Sequence, residues 1–184
     1  ICSYFSAVAH SVSIPIVLYT NPRFSKIDLS IESYEKLSHI DNIRYLKDAS
    51  GNTGKLLTII GQIGDKLKIF SASANIPLCV MMFGGAGWMA GPACIIPKQS
   101  VRLYDLCHNK QWNQAIMLQK QLWNVNRIFA KYNMAACIKA GLTLQGFDVG
   151  EPVPPLAKLR DSEKMEVREV LLEMEKIDID RRNG

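Results

Sequence analysis

The sequence predicts an α/β protein in which a parallel sheet is covered by helices and a purely helical region follows. Three observations carry this. Over residues 1–97, short β-like runs alternate with helical ones, at a period of about thirty residues, the size of one βα unit. The β-like runs are apolar through most of their length, as strands covered on both faces are. Beyond Pro97 the β-like runs stop and only helical periodicity continues. These patterns leave a barrel and a doubly wound sheet both open.

The elements follow in order. An amphipathic stretch at 4–12 precedes a strand at 14–19, whose exit loop carries Asn21-Pro22. A helix at 31–38 leads through Asp41-Asn42 into a second strand at 43–47, which exits through Asp48-Ala49-Ser50-Gly51-Asn52. A helix at 53–63 shows a broad apolar face of Leu56, Leu57, Ile59, Ile60 and Ile63 and ends at Gly64-Asp65. A third strand at 67–71, an apolar helix at 76–83 and a short glycine-flanked strand at 87–90 complete this part. Helices are expected at 99–107, 112–132, 135–144 and 162–176, with a stiff connector at 150–155 rich in proline. The charged tail at 178–184 is expected to fray.

Composition narrows the function classes. The chain of 184 residues is 48% apolar, enough for a sizeable core. No apolar run approaches the length of about 20 residues that a membrane-spanning helix needs. The net charge of +5 is spread along the chain among acidic neighbours, which argues for a solvated surface rather than nucleic-acid binding. Cys2, Cys79, Cys94, Cys107 and Cys137 stand far apart with no paired spacing, so no metal is expected, and they read as reduced, mostly buried thiols of a cytoplasmic protein. His10, His39 and His108 each fall near a helix end and are assigned no catalysis. The opening Ile1-Cys2-Ser3-Tyr4-Phe5 has no initiator Met or signal-like segment and reads as the middle of a longer chain.

Lys47 is the first candidate for chemistry. It closes an apolar strand, and the carboxyl edge of such a sheet is where barrels and open α/β folds bind ligands. A lysine partly desolvated there can present a neutral amine that attacks a ketone; the alternative is a lysine that snorkels to solvent and pairs with Asp48. Tyr19 ends the preceding strand in the same way, and its phenol can relay protons, or can simply pack against the loop. The glycines in Gly84-Gly85-Ala86-Gly87-Trp88-Met89-Ala90-Gly91-Pro92 precede a strand rather than open a helix, which excludes a nucleotide-binding loop. Gly87 and Met89 are candidates for close approach of backbone amides to a ligand carboxylate. Ser71 and Ser73 are candidates for the same rim.

Tyr19 in Ile-Val-Leu-Tyr-Thr-Asn-Pro, Lys47 in Tyr-Leu-Lys-Asp-Ala-Ser-Gly, and Phe-Gly-Gly-Ala-Gly-Trp-Met-Ala-Gly resemble strands five, six and eight of the dihydrodipicolinate synthase and N-acetylneuraminate lyase family. The segments Cys137-Ile138-Lys139-Ala140-Gly141-Leu142 and Glu151-Pro152-Val153-Pro154-Pro155 resemble its helical ending. The resemblance implies a half TIM barrel, strands five to eight, over residues 1–97 and a helical extension over 98–177. It implies a Schiff-base lyase or aldolase acting on pyruvate or a related 2-oxo acid. Lys47 would form the imine, Tyr19 would move protons, and the backbone of Met89 would contact the 2-oxo acid. No cofactor is implied beyond that imine, and a homotetramer is implied for the full-length protein. Two departures point to a divergent branch: Arg23 is offset by one position from the family's substrate-binding arginine, and Tyr45 stands where a small residue is usual. The same imine would also serve a hydratase or deaminase, and a non-catalytic fragment is the third reading.

Overall fold

A computed structural model describes residues 1–72 and 74–179, with side chains through residue 175. Ser73 and residues 180–184 of the charged tail therefore lie outside the described residues. The chain divides into two compact units, one of residues Ile1–Ala90 and one that starts at Gly91.

The first unit runs α1 Cys2–His10, β1 Ile16–Thr20, α2 Pro22–Ser25, α3 Ile31–Ser38, β2 Ile43–Asp48, α4 Thr53–Ile63, β3 Lys68–Ser71, α5 Pro77–Met82 and β4 Gly87–Trp88. Its strands pair in chain order and all are parallel. The helices begin where side chains supply the missing acceptors. Ser30 accepts from the Ser33 amide to start α3, and Asn52 accepts from the Lys55 amide to start α4. On the helix side of the sheet, Leu18, Leu46 and Ile69 pack with Tyr34, Leu37, Leu56, Ile59 and Val80 in one buried cluster. Each such side chain contributes about 1.5–3 kcal/mol by leaving water, and a shift of strand register by one residue would expose the strand members. Asn42 ties α1 to the entry of β2, its side-chain amide donating to the carbonyls of Ala9 and Val12.

Two local expectations change. Asn21-Pro22 opens a one-turn helix rather than a plain loop, because the fixed φ of Pro22 suits the first helical position. That turn closes at Lys26, whose φ of 58° is left-handed and whose amide reaches the Pro22 carbonyl. β4 is two residues long rather than four. Gly85 before it serves packing: a Cβ there would sit 2.4 Å from Val80 Cγ1 and 2.9 Å from the Val80 carbonyl oxygen.

The second unit holds a 3-10 turn Gly91–Cys94, then α6 Pro97–His108, α7 Trp112–Lys131, α8 Met134–Leu144 and α9 Asp161–Ile179. α9 continues through residues 178 and 179, which the sequence placed in the fraying tail. Leu103, Leu118, Val125, Cys137, Val167 and Leu171 are buried in its core. Gly141 lets α8 approach Ile95, whose Cγ2 would lie 2.9 Å from an added Cβ. Among the described residues no helix is long and apolar enough to cross a membrane.

The cysteines divide more finely than composition suggested. Cys107 and Cys137 are buried, Cys2 and Cys79 half-buried, and Cys94 exposed. Burial pushes the Cys107 thiol up to about 11, and burial together with the charge of Glu163 does the same for Cys137. The thiolate is the nucleophile, so iodoacetamide at pH 8 is expected to modify Cys94 while Cys107 and Cys137 resist until the protein is unfolded. Peptide mass mapping reads this directly; modification of either buried thiol as fast as Cys94 would contradict the packing.

Candidate active site

The site is set by strand register. Tyr19 on β1 pairs with Lys47 on β2, Lys47 with Phe70 on β3, and Phe70 with Gly87 on β4. Register partners share a face, so these four form one row near the carboxyl ends of the strands. Lys47 Nζ lies 4.4 Å from the centroid of the Tyr19 ring, a cation–π contact. The Tyr19 hydroxyl accepts a 3.0 Å hydrogen bond from Asn21 Nδ2. Tyr19 is 53% exposed and Lys47 half-buried.

The residue after Lys47 behaves oppositely. Alternation turns Asp48 to the helix side, where its side chain is fully buried. It accepts from the Ser50 amide at 2.9 Å, from the Ser50 hydroxyl, and from Lys55 Nζ at 3.0 Å. The Lys47–Asp48 pair considered from sequence does not form, and among the described residues no carboxylate pairs with Lys47.

Lys55 is the residue that sequence reading missed. Its side chain is 9% exposed, and its ammonium also reaches Asp28 and the Tyr34 hydroxyl, the latter at 3.3 Å. Burial disfavours its charge, but the hydrogen bonds to Asp28 and Asp48 outweigh that and hold its pKa well above the ordinary lysine value. Burial likewise raises the Tyr34 phenol. The available signal was a lone cation in the first turn of an otherwise apolar helix, seven residues after an aspartate at the end of an apolar strand.

The other candidates are not all brought to this row. Ser71 lies fully buried in the opposite-face row with Thr20 and Asp48, so its side chain does not join Tyr19 and Lys47. The Met89 amide is spent on the Ser71 carbonyl at 2.8 Å, so it is not a free donor for a carboxylate. Gly87 belongs to the row and is buried. An apolar hollow of about 350 Å³ borders Tyr19, lined chiefly by Ile1, Phe5, Phe24, Ile27 and Leu29; among the described residues no Lys, Arg, Asp or Glu lines it. Phe24 is 79% exposed. Among the described residues no three His, Cys, Asp or Glu side chains are grouped to hold a metal ion.

With this geometry in place, the sequence profile of the dihydrodipicolinate synthetase family matches residues 1–174. The chain belongs to that family. Curated relatives include a 4-hydroxy-tetrahydrodipicolinate synthase from Clostridium novyi, 30% identical over 88% of this chain and 55% of its own length. Another, from Methanococcoides burtonii, is 33% identical over 85% of this chain and 54% of its own length. The chain thus spans about half the length of the curated relatives it matches. Among solved structures, dihydrodipicolinate synthase from Bacillus anthracis superposes with a TM-score of 0.86 at 25% identity, covering 93% of this chain and 59% of that one. The enzyme from Aquifex aeolicus shares the fold, with a TM-score of 0.87 at 21% identity over 94% of this chain and 59% of that one. The family fold is α/β with a parallel sheet and many helices, as observed here.

Proposed function

We propose that the full-length protein is a lyase or aldolase that binds pyruvate or a related 2-oxo acid as an imine on Lys47. The observation that carries this is Lys47 itself: an amine at a strand end, beside a phenol and, among the described residues, paired with no carboxylate, in a chain of this family. The neutral amine attacks C2 of the 2-oxo acid to give a carbinolamine, which loses water to give a protonated imine. The imine draws electrons from C3, so a C3 proton or a C3–C4 bond is released to leave an enamine. In the synthetic direction the enamine attacks an aldehyde, and water then returns the amine and product. Tyr19, held by Asn21, gives and takes the protons of the carbinolamine. Reduction with borohydride in the presence of pyruvate, followed by mass mapping of the modified lysine, tests this reading.

The four parallel strands are read here as strands five to eight of an eight-stranded barrel, with a homotetramer as the assembly of the whole protein and the cytoplasm as its location. The span of about half the relatives' length supports the first part.

The partner substrate is read from Arg23, which is offset by one position from the family's substrate-binding arginine. Among the described residues no Lys or Arg, Arg23 included, lines the hollow beside Tyr19. Hydrogen bonds to a charged group are worth about 1.5–3 kcal/mol, about ten- to a hundredfold in rate. Condensation of pyruvate with aspartate semialdehyde is therefore expected to have a kcat/KM lower by about that factor than condensation with an uncharged aldehyde of similar length. Efficient use of aspartate semialdehyde by the full-length enzyme would refute this.

A further inference from the structure

We infer that Lys55 is a positioning residue for Lys47, clamping the strand end that carries Lys47 to the loop that follows Tyr19; this rests on the reading of Lys47 as the imine-forming lysine.

An ammonium has three N–H donors, and Lys55 spends them on three different elements. Asp48 is the last residue of β2, Asp28 stands at the end of the loop that leaves β1, and Tyr34 lies in α3. Lys55 is itself fixed in the first turn of α4, where its amide donates to Asn52 Oδ1 at 3.0 Å. One buried cation therefore ties together the segments that carry the two candidate catalytic side chains.

The consequence for Lys47 runs through the backbone. Asp48 shares a peptide bond with Lys47 and points to the opposite face, so holding its carboxylate fixes the rotation of the strand end and the direction in which Lys47 leaves it. Asp48 accepts from the Ser50 amide as well, which shapes the exit loop. The ladder continues past the strands through Ala49 N–H to the Thr20 carbonyl and Ala72 N–H to the Asp48 carbonyl. On the other side, Asp28 anchors the segment that begins with Asn21, the donor to the Tyr19 hydroxyl. Loosening this clamp displaces Lys47 and Tyr19 relative to each other, and a misplacement of about 1 Å can cost about a hundredfold in rate.

The test uses the full-length protein carrying Lys55→Met, Lys55→Arg or Asp28→Asn, each checked for folding by its melting curve. Stopped reactions with pyruvate and borohydride give the saturating rate of imine formation and the pyruvate concentration for half-saturation. Competitive acylation with acetic anhydride gives the accessibility of Lys47 relative to exposed Lys68. Lys55→Met is expected to lower the saturating rate about ten- to a hundredfold with little change in half-saturation, and to raise Lys47 acylation as its side chain leaves the Tyr19 ring. Lys55→Arg, which keeps the charge, is expected to recover most of the rate. Should Lys55→Met fail to fold, Asp28→Asn decides, because Asp28 is 44% exposed and its loss leaves the Lys55–Asp48 pair intact; a several-fold loss in the same direction is expected. Unchanged imine formation and unchanged Lys47 acylation in the folded variants would overturn the inference. A wild-type protein that traps no pyruvate on Lys47 would instead overturn the imine reading, and Lys47 acylation would still decide whether Lys55 positions it.

Discussion

Replacing Lys47 by Ala in the full-length protein is expected to abolish the borohydride-trapped pyruvate adduct and to lower turnover about 10⁴- to 10⁶-fold, the scale seen when a covalent nucleophile is removed. The expectation is specific to this lysine because the other lysine tied to this strand end sits in a different setting. Lys55 is buried between two carboxylates that hold its ammonium charged, and a charged ammonium has no lone pair with which to attack a ketone. Lys47 is half-buried, lies over an aromatic ring and, among the described residues, pairs with no carboxylate. Mass mapping of the reduced adduct should find Lys47 modified and Lys55 not. An adduct on Lys55, or undiminished trapping by Lys47→Ala, would remove Lys47 from the mechanism.

The parts of this site that local patterns encode were legible in the sequence. The run closing on Lys47 and the run closing on Tyr19 are apolar segments of strand length bounded by turn residues, and the structure pairs them in register. The helix at 53–63 was legible from its apolar face and from Gly64-Asp65 at its end, and the structure adds Asn52 as the cap that starts it. What the patterns do not encode is which way each strand residue faces once a strand is apolar throughout. Alternation is then invisible, and Ser71 was placed at the rim although it lies buried behind the sheet with Asp48. The turn at Pro22–Ser25 was hidden because proline marks both loops and first helical positions. Lys55 was hidden for a different reason. Its partner Asp28 is twenty-seven residues away in sequence, and that pairing exists only once β1, β2 and α4 have packed. The pairing of Tyr19 and Lys47 at neighbouring strand ends was legible from the residues, although each alone had an ordinary packing alternative, and the family resemblance supplied their chemical roles.

Tyr19→Phe separates the two roles that the phenol can have. The phenylalanine ring keeps the apolar and cation–π surface under Lys47, so the lysine is expected to stay in place and trapping of pyruvate to remain within a few-fold of wild type. What is lost is the hydroxyl, which at present accepts from Asn21 and is the group placed to carry protons to and from the carbinolamine. Loss of a positioned proton-transfer group typically costs about 10²- to 10⁴-fold, and steady-state turnover is expected to fall by that amount. The comparison of the two measurements is the informative one. If trapping and turnover fell together, Tyr19 would act by holding Lys47 in position rather than by moving protons. If turnover stayed near wild type, the phenol would have no chemical role, and the Tyr19 ring would be a packing surface for the lysine alone.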